Sequence, residues 1–323
     1  MTFEDIPTVP RSEELIDKAF SRAARAGRAK SGIEAQQSML VTASNIVSDN
    51  LQNVTTSWPD FDAVDPFYYE LADALVDGGV DSLKQQLSTV MWTGRKAADI
   101  RSEYQSRLRG DPDTARKIRK QAFARLADLT NNVEDELLAL GDAREQLKEL
   151  PDIRPDQPTI VIAGYPNVGK STFVNHVTNA NNEIASYPFT TTQIHVGHIE
   201  RNHITYQLID TPGLLDRPAD ERNDIESQAV SALSHCADCI LVFVDGSETC
   251  GYQRDVQLAL RDEIADRFSG VPVLTVASKA DLDGAIDAPL RCSATENEGV
   301  TELLDAAIDA TDYEIELPYE TNA

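Results

Sequence analysis

Residues 159–178 read Thr-Ile-Val-Ile-Ala-Gly-Tyr-Pro-Asn-Val-Gly-Lys-Ser-Thr-Phe-Val-Asn-His-Val-Thr. The first five are an apolar run of the length of a buried strand, and residues 172–178 are compatible with a helix. Between them lies Gly164-x4-Gly169-Lys170-Ser171, a glycine loop in the strand–loop–helix setting that phosphate binding requires. Glycines let backbone N–H groups curl around phosphate oxygens, and the new helix N-terminus adds the positive end of its dipole. Residues Gly164, Tyr165, Pro166, Asn167, Val168 and Gly169 are therefore expected to cradle phosphates. Lys170 is placed to neutralise the terminal phosphates, and the Ser171 hydroxyl to ligate Mg²⁺.

Four further motifs follow in an order that points to a guanine nucleotide. Tyr187-Pro-Phe189-Thr190-Thr191-Thr192 is expected to be a first switch, with Thr191 completing Mg²⁺ coordination. Asp210-Thr211-Pro212-Gly213, continued by Leu214, ends an apolar run and reads as a second switch. Its aspartate would hold Mg²⁺ through water, and the Gly213 N–H would sense the third phosphate, giving an ordered and a released state. In Ser278-Lys279-Ala280-Asp281, Asp281 would accept the guanine N1–H and N2–H₂ donors and the Lys279 stem would cover the base. Asn is the usual first residue of this motif; here it is Ser278, kept among the guanine-binding candidates, a departure that bears on one polar contact and is expected to leave guanine selectivity intact. Ser293-Ala294 fits the loop whose backbone meets guanine O6.

The group that drives hydrolysis is less obvious. Leu214 stands where many GTPases carry a glutamine that orients water, and leucine has no polar atom for that task. The Asn167 amide has two readings: it holds K⁺ against the phosphates in place of an arginine's charge, or it only supports the loop turn.

The chain has 323 residues, 41% hydrophobic, and carries a formal charge of −25, enough for two domains. Asp (32) outnumbers Glu (22), and Arg (20) outnumbers Lys (9), a pattern that looks like adaptation to multimolar salt. No run of about 18 apolar residues predicts a membrane span. The N-terminus lacks the basic start and apolar core of a secretory signal, and four cysteines make no disulfide framework, so a cytoplasmic setting is expected.

Residues 1–150 read as a helical bundle, with periodic stretches near 33–54, 66–78, 82–108 and 112–149. Residues 151–158, after Leu150, form a proline-rich linker, expected to be an extended spacer. From 159 to 323, strand candidates at 159–163, 204–209, 240–244 and 272–277 alternate with helix candidates at 171–178, 221–235, 252–267 and 299–310. That alternation predicts an α/β, doubly wound, mainly parallel sheet of the P-loop NTPase type with its ligand at the strand C-termini.

The charge is uneven. Residues 1–150 hold 19 basic against 25 acidic side chains, and residues 151–323 hold 10 against 29. Within 95–125, Arg95, Lys96, Arg101, Arg107, Arg109, Arg116, Lys117, Arg119, Lys120 and Arg125 face only four acidic residues. A smaller cluster is Lys18, Arg22, Arg25, Arg28 and Lys30. A basic island in so acidic a chain points to RNA, with a solvated helix face as the plainer alternative. Cys236-x-x-Cys239 lacks the second pair that zinc needs and reads as buried structural thiols; His195, His198 and His203 read as strand or solvated positions.

With these residues in view, the chain resembles the nucleolar GTP-binding protein family, in its archaeal branch, within the Obg-like GTPases. Its general marks are 164–171, 187–191 and the leucine after Gly213. Narrower ones are Asp210-Thr-Pro-Gly-Leu-Leu-Asp216-Arg-Pro218, Glu221-Arg-Asn-x-Ile-Glu226-x-Gln-Ala229, Ala232-Leu-x-His235 and Asp245-x-Ser-Glu-x-Cys-Gly251. The resemblance covers about residues 10–310 and implies a GTPase acting in assembly of the large ribosomal subunit; the acidic composition matches a haloarchaeal member. It implies docking of the helical domain on ribosomal RNA and proteins of the subunit precursor. Members from eukaryotes carry long C-terminal extensions whose roles do not transfer to this chain.

Overall fold

The computed structural model describes residues 3–150, 153–178, 182–186, 193–212, 214–282, 284 and 286–313. The chain divides into two compact units, 1–64 with 75–148, and 65–74 with 149–323.

The first unit is helical: α1 (Ser12–Arg28), α2 (Gly32–Thr56), α4 (Gly79–Arg107), α5 (Pro112–Asn131) and α6 (Glu134–Lys148), α3 being assigned below. Its core is aliphatic, with Leu15, Leu40, Leu51, Leu83, Leu126, Leu140 and Leu147 at 2% exposure or less. Gly94 lets α4 approach α2 closely: an added Cβ would lie 3.3 Å from the Ser48 carbonyl oxygen and from Leu51 Cβ. Helix α5 starts as its sequence demands. Pro112 occupies the first turn, and the Asp111 carboxylate accepts from the Asp113 and Thr114 N–H groups at 3.0 Å each. The periodic stretch 112–149 is two helices, not one. Asn132 closes α5, and Glu134 at the start of α6 turns its carboxylate to the Ser12 N–H at 2.7 Å.

The second unit contains α3 (Pro66–Leu75) and an α/β domain. Tyr68 donates to the Ile153 carbonyl at 2.5 Å, and Glu70 lies 2.9 Å from His235 Nε2, so a helix from the helical half of the sequence belongs to this unit. Residues 153–158 are not a free spacer. The Arg154 N–H donates to Gln207 Oε1 at 2.8 Å, and Gln207 Nε2 donates back to the Arg154 carbonyl at 2.7 Å.

The domain runs β1 (Thr159–Ala163), α7 (Lys170–Val177), β2 (Asn182–Ser186), β3 (Gln193–Arg201), β4 (Ile204–Asp210), α8 (Asp224–Cys236) and β5 (Cys239–Asp245). It continues with α9 (Arg254–Arg267), β6 (Val273–Ser278), β7 (Leu290–Cys292) and α10 (Val300–Ala310). The sheet order is β2-β3-β4-β1-β5-β6-β7, parallel from β4 through β7, with β2 and β3 antiparallel at one edge. Every residue of β1 and β5 is buried, as expected of central strands covered on both faces. Phe173 on α7 packs on Phe243 of β5 at 5.4 Å between ring centroids. The parallel register brings the C-terminal ends of β1, β4, β5 and β6 to one edge of the sheet, where the motifs lie.

Candidate functional site

The turn out of β1 is shaped by its glycines. Gly164 has φ 128°, and a Cβ there would stand 2.5 Å from the Phe243 carbonyl oxygen, so β5 and the loop approach too closely for any side chain. Asn167 sits at φ 63°, a left-handed position that asparagine tolerates better than most residues. Tyr165 is 5% exposed and packs on Tyr252, the rings tilted by 30° with centroids 4.2 Å apart.

Lys170 opens α7 with its amine buried. It donates to the Gly164 carbonyl at 2.6 Å and the Tyr165 carbonyl at 2.9 Å, folding back over its own loop. Burial pulls its pKa down, against the pull of Asp210 and Asp216. Ser171 Oγ donates to Asp210 Oδ2 at 2.5 Å. Asp210 is fully buried and its other oxygen, Oδ1, has no partner. Burial raises its pKa, against the Ser171 hydrogen bond and the Lys170 charge. A buried carboxylate with an open oxygen beside a serine hydroxyl fits a hard divalent cation of the Mg²⁺ type.

The segment after β4, expected to be the second switch, is anchored once to β1 and once to the glycine loop. Thr211 Oγ1 donates to the Ile162 carbonyl at 3.0 Å, and the Gly164 N–H donates to the Leu215 carbonyl at 2.9 Å. Leu214 and Leu215 are both 0% exposed. Pro212 is half-buried. The segment ends in a capping box at α8, where Asn223 and Glu226 exchange hydrogen bonds at 2.8 and 3.0 Å and Glu226 also pairs with Arg217 at 2.9 Å. Phe189, Thr190, Thr191, Thr192 and Gly213 lie outside the described residues.

Ser278, Lys279, Asp281, Ser293 and Ala294 meet Asn167, Val168 and Gly169 around one cavity of 340 Å³. Thr172, Phe243, Leu282, Cys292 and Thr295 complete its wall and carry no sequence signature of their own. The Asp281 side chain is exposed, while Ser278 Oγ is buried without a hydrogen-bond partner. Behind the cavity Asp245 is 0% exposed. Burial alone would raise its carboxyl. Hydrogen bonds from Lys279, Ser247, Thr249 and the Cys250 N–H outweigh that and hold it at about 2.

In the helical unit the basic residues separate into two sets. Lys96 pairs with Asp99 at 3.0 Å, Arg107 and Arg125 with Glu103 at 3.4 and 2.8 Å, and Arg101 donates to Asn45 at 2.5 Å. Arg119 donates to Gln36 at 2.9 Å and lies over the Phe123 ring. Arg95 is exposed and points a nitrogen at Met91 Sδ, 3.2 Å away. Arg109, Arg116, Lys117 and Lys120 are exposed around the turn from α4 to α5. Gln37 donates to the Leu108 carbonyl at 3.3 Å, which brings the start of α2, and with it Arg28 and Lys30, to this same end of the bundle.

Cys236 and Cys239 are buried, and burial pushes both thiols up, Cys239 to about 12, which leaves them unreactive. Among the described residues no three His, Cys, Asp or Glu side chains group as a metal site. No described helix is long and apolar enough to cross a membrane.

Comparison with known proteins places both halves. Residues 3–154 match the model of the NOG1 N-terminal helical domain, and residues 159–279 match that described as 50S ribosome-binding GTPase. An uncharacterised protein of Methanocaldococcus jannaschii is 38% identical over 291 residues, 87% of this chain and 81% of that protein. Nucleolar GTP-binding protein 1 of Drosophila melanogaster is 35% identical over 298 residues, 89% of this chain but 45% of that protein. The chain thus spans less than half the length of this nucleolar relative. A crystal structure of the Plasmodium falciparum nucleolar GTP-binding protein 1 covers 50% of this chain and 90% of its own, at 32% identity and a TM-score of 0.45. The chain belongs to the nucleolar GTP-binding protein family, with that family's N-terminal helical domain joined to its GTPase domain.

Proposed function

We propose that this chain binds GTP and GDP with Mg²⁺, hydrolyses GTP slowly, and acts in assembly of the large ribosomal subunit, its nucleotide state switching its hold on pre-ribosomal RNA and proteins. The observation that supports the nucleotide reading is the cavity lined both by Asn167, Val168 and Gly169 of the glycine loop and by Ser278, Lys279, Asp281, Ser293 and Ala294 of the base motifs. In this reading Lys170 leaves its own loop carbonyls for the terminal phosphates. Ser171, Asp210 and Thr191 hold the Mg²⁺, which when bound offsets phosphate charge. The Gly213 N–H reads the third phosphate. Asp281 accepts from guanine, Lys279 covers the base, and Ser293 and Ala294 offer backbone to O6; Ser278, whose Oγ is buried and unpartnered, lines the same cavity.

Turnover is slow in this reading because Leu214 is buried and apolar. K⁺ held at Asn167 supplies the missing positive charge. Replacing KCl by NaCl should then slow hydrolysis in the native protein, and Asn167→Ala should remove that difference while leaving GDP affinity within a few-fold. Equal loss of affinity and rate would leave Asn167 with its turn role alone.

The ribosomal reading is supported by the names of the nucleolar relatives and by the exposed basic end of the bundle, Arg109, Arg116, Lys117 and Lys120 beside Arg28. It is tested by co-sedimentation with large ribosomal subunits and their precursors in multimolar KCl. Retention with a non-hydrolysable GTP analogue and release with GDP is the expected result. Absence of binding in every nucleotide state would leave a GTPase with another partner.

A further inference from the structure

The segment Asp245-Gly-Ser-Glu-Thr-Cys-Gly251 is among the narrow marks of this chain, yet GTP binding in general does not explain it. In the fold it is the turn out of β5, and the register sets Asp245 directly beside Ser278 of β6. Lys279 follows with φ 49°, a strained backbone position for a lysine. Its amine leaves the cavity for Asp245 Oδ2 at 2.8 Å and Thr249 Oγ1 at 2.8 Å. Asp245 Oδ2 also accepts from Thr249 Oγ1 at 3.0 Å and the Cys250 N–H at 2.9 Å; Oδ1 accepts from the Ser247 N–H at 2.9 Å and Oγ at 2.5 Å. Both carboxylate oxygens are thus saturated, so the charge has a defined place in the interior.

The main chain of the turn is held just as firmly. The Gln257 amide accepts from the Asp245 N–H at 2.7 Å and donates to the Asp245 and Tyr252 carbonyls at 3.1 and 2.8 Å. On the other side, Gly246 abuts the chain that follows Asp281. A Cβ on Gly246 would lie 2.8 Å from the Gly284 carbonyl oxygen, so the two segments meet backbone to backbone. The turn therefore touches the base motif at Lys279 and, through Gly246, meets Gly284, while its Tyr252 packs at a tilt against Tyr165 of the glycine loop.

We infer that residues 245–252 form a clasp for base recognition, in which Asp245, aided by Thr249, is the positioning residue that stretches the Lys279 stem across the face of the bound guanine. This rests on the reading of the cavity as a guanine-nucleotide site. A lysine tethered at its amine before ligand arrives has already surrendered the freedom of its four-carbon stem. Removing the tether is felt in base affinity and spares phosphate contacts.

The test is a set of equilibrium titrations of the full chain with Mg²⁺ and either GDP or inorganic tripolyphosphate. Asp245→Asn and Lys279→Met are each expected to weaken GDP about tenfold, a loss of about 1.4 kcal/mol. Tripolyphosphate affinity should stay unchanged, and the double variant should bind GDP no more weakly than either single one. Thr249→Val, at an exposed position, is expected to weaken GDP about twofold to threefold and keeps the test open if Asp245→Asn fails to fold. Additive losses, or equal losses for GDP and tripolyphosphate, would overturn the clasp and leave Asp245 a structural residue only. A native chain that binds tripolyphosphate but does not prefer GDP to ADP would overturn the underlying guanine reading, and the clasp with it.

Discussion

At the scale of single residues, the site pairs firm positioning with a missing polar group. Leu214 is 0% exposed, so Leu214→Gln would bury an amide without a prepared partner, at a cost of about 1–3 kcal/mol. The expected outcome is a lower melting temperature with no gain in turnover, checked by calorimetry and a phosphate-release assay. An increase in kcat would show that the position faces the attacking water after all. Asp281 is different, because it is exposed and its carboxylate is free to meet a ligand. Asp281→Asn swaps one acceptor for a donor and should weaken GDP by a factor of about 10 to 100, as charged hydrogen bonds are worth about 1.5–3 kcal/mol. Asp245 adds a pH effect. Its folded pKa of about 2 lies below the ordinary 3.8. The stabilisation is therefore present in full above the ordinary value and is lost as pH falls through about 2. It amounts to about 2 kcal/mol, and Asp245→Asn should flatten the acid limb of a stability–pH curve.

At the scale of elements, α8 begins at Asp224, and its capping box ties Asn223 to the first turn of the helix. Asn223→Ala removes the side-chain acceptor for the Glu226 N–H and should cost about 1 kcal/mol. Amide exchange is expected to speed up over the first turn of α8 while the central strands stay protected. Unchanged protection there would mean that the Arg217–Glu226 pair alone holds the turn. Element identity was largely legible beforehand. The strand candidates at 159–163, 204–209, 240–244 and 272–277 correspond to β1, β4, β5 and β6, because central parallel strands are continuous apolar runs. The antiparallel strands β2 and β3 were not among the strand candidates: Gln193-Ile-His-Val-Gly-His-Ile-Glu-Arg201 mixes polar residues and a glycine into a strand that is no continuous apolar run. The division of α5 from α6 also escaped, since Leu129, Val133 and Leu137 carry the helical period straight through the break.

At the scale of the whole molecule, two compact units and a charge of −25 set the stability behaviour. Raising KCl toward multimolar shortens the screening length to about 3 Å and relieves acidic self-repulsion, so the melting temperature is expected to climb with salt. A fall with salt would count against the halophilic reading. GDP with Mg²⁺ at about 100 times its Kd should add about 2.7 kcal/mol to the unit that contains the cavity. Heating should then resolve a ligand-shifted transition from one that does not move, the latter belonging to the helical unit.

The amino-acid order by itself determined what depends on short-range demands: a glycine loop that only certain backbones can form, a proline at the first turn of α5, and apolar periods of two lengths in two halves of the chain. Those demands act between near neighbours, so they can be read along a line. Only the tertiary structure decided which distant residues share a space. The pairing of β5 with β6 set Asp245 beside Ser278 and within reach of Lys279, and the sheet order carried residues 278–282 and 292–295 to the glycine loop, with Asp281 and Ser293 on its cavity. Packing also turned Arg101 and Arg119 toward partners within the bundle and gave α3 to the second unit. Burial and hydrogen-bond satisfaction are properties of the folded neighbourhood, and the charge on a side chain does not reveal which neighbourhood it will join.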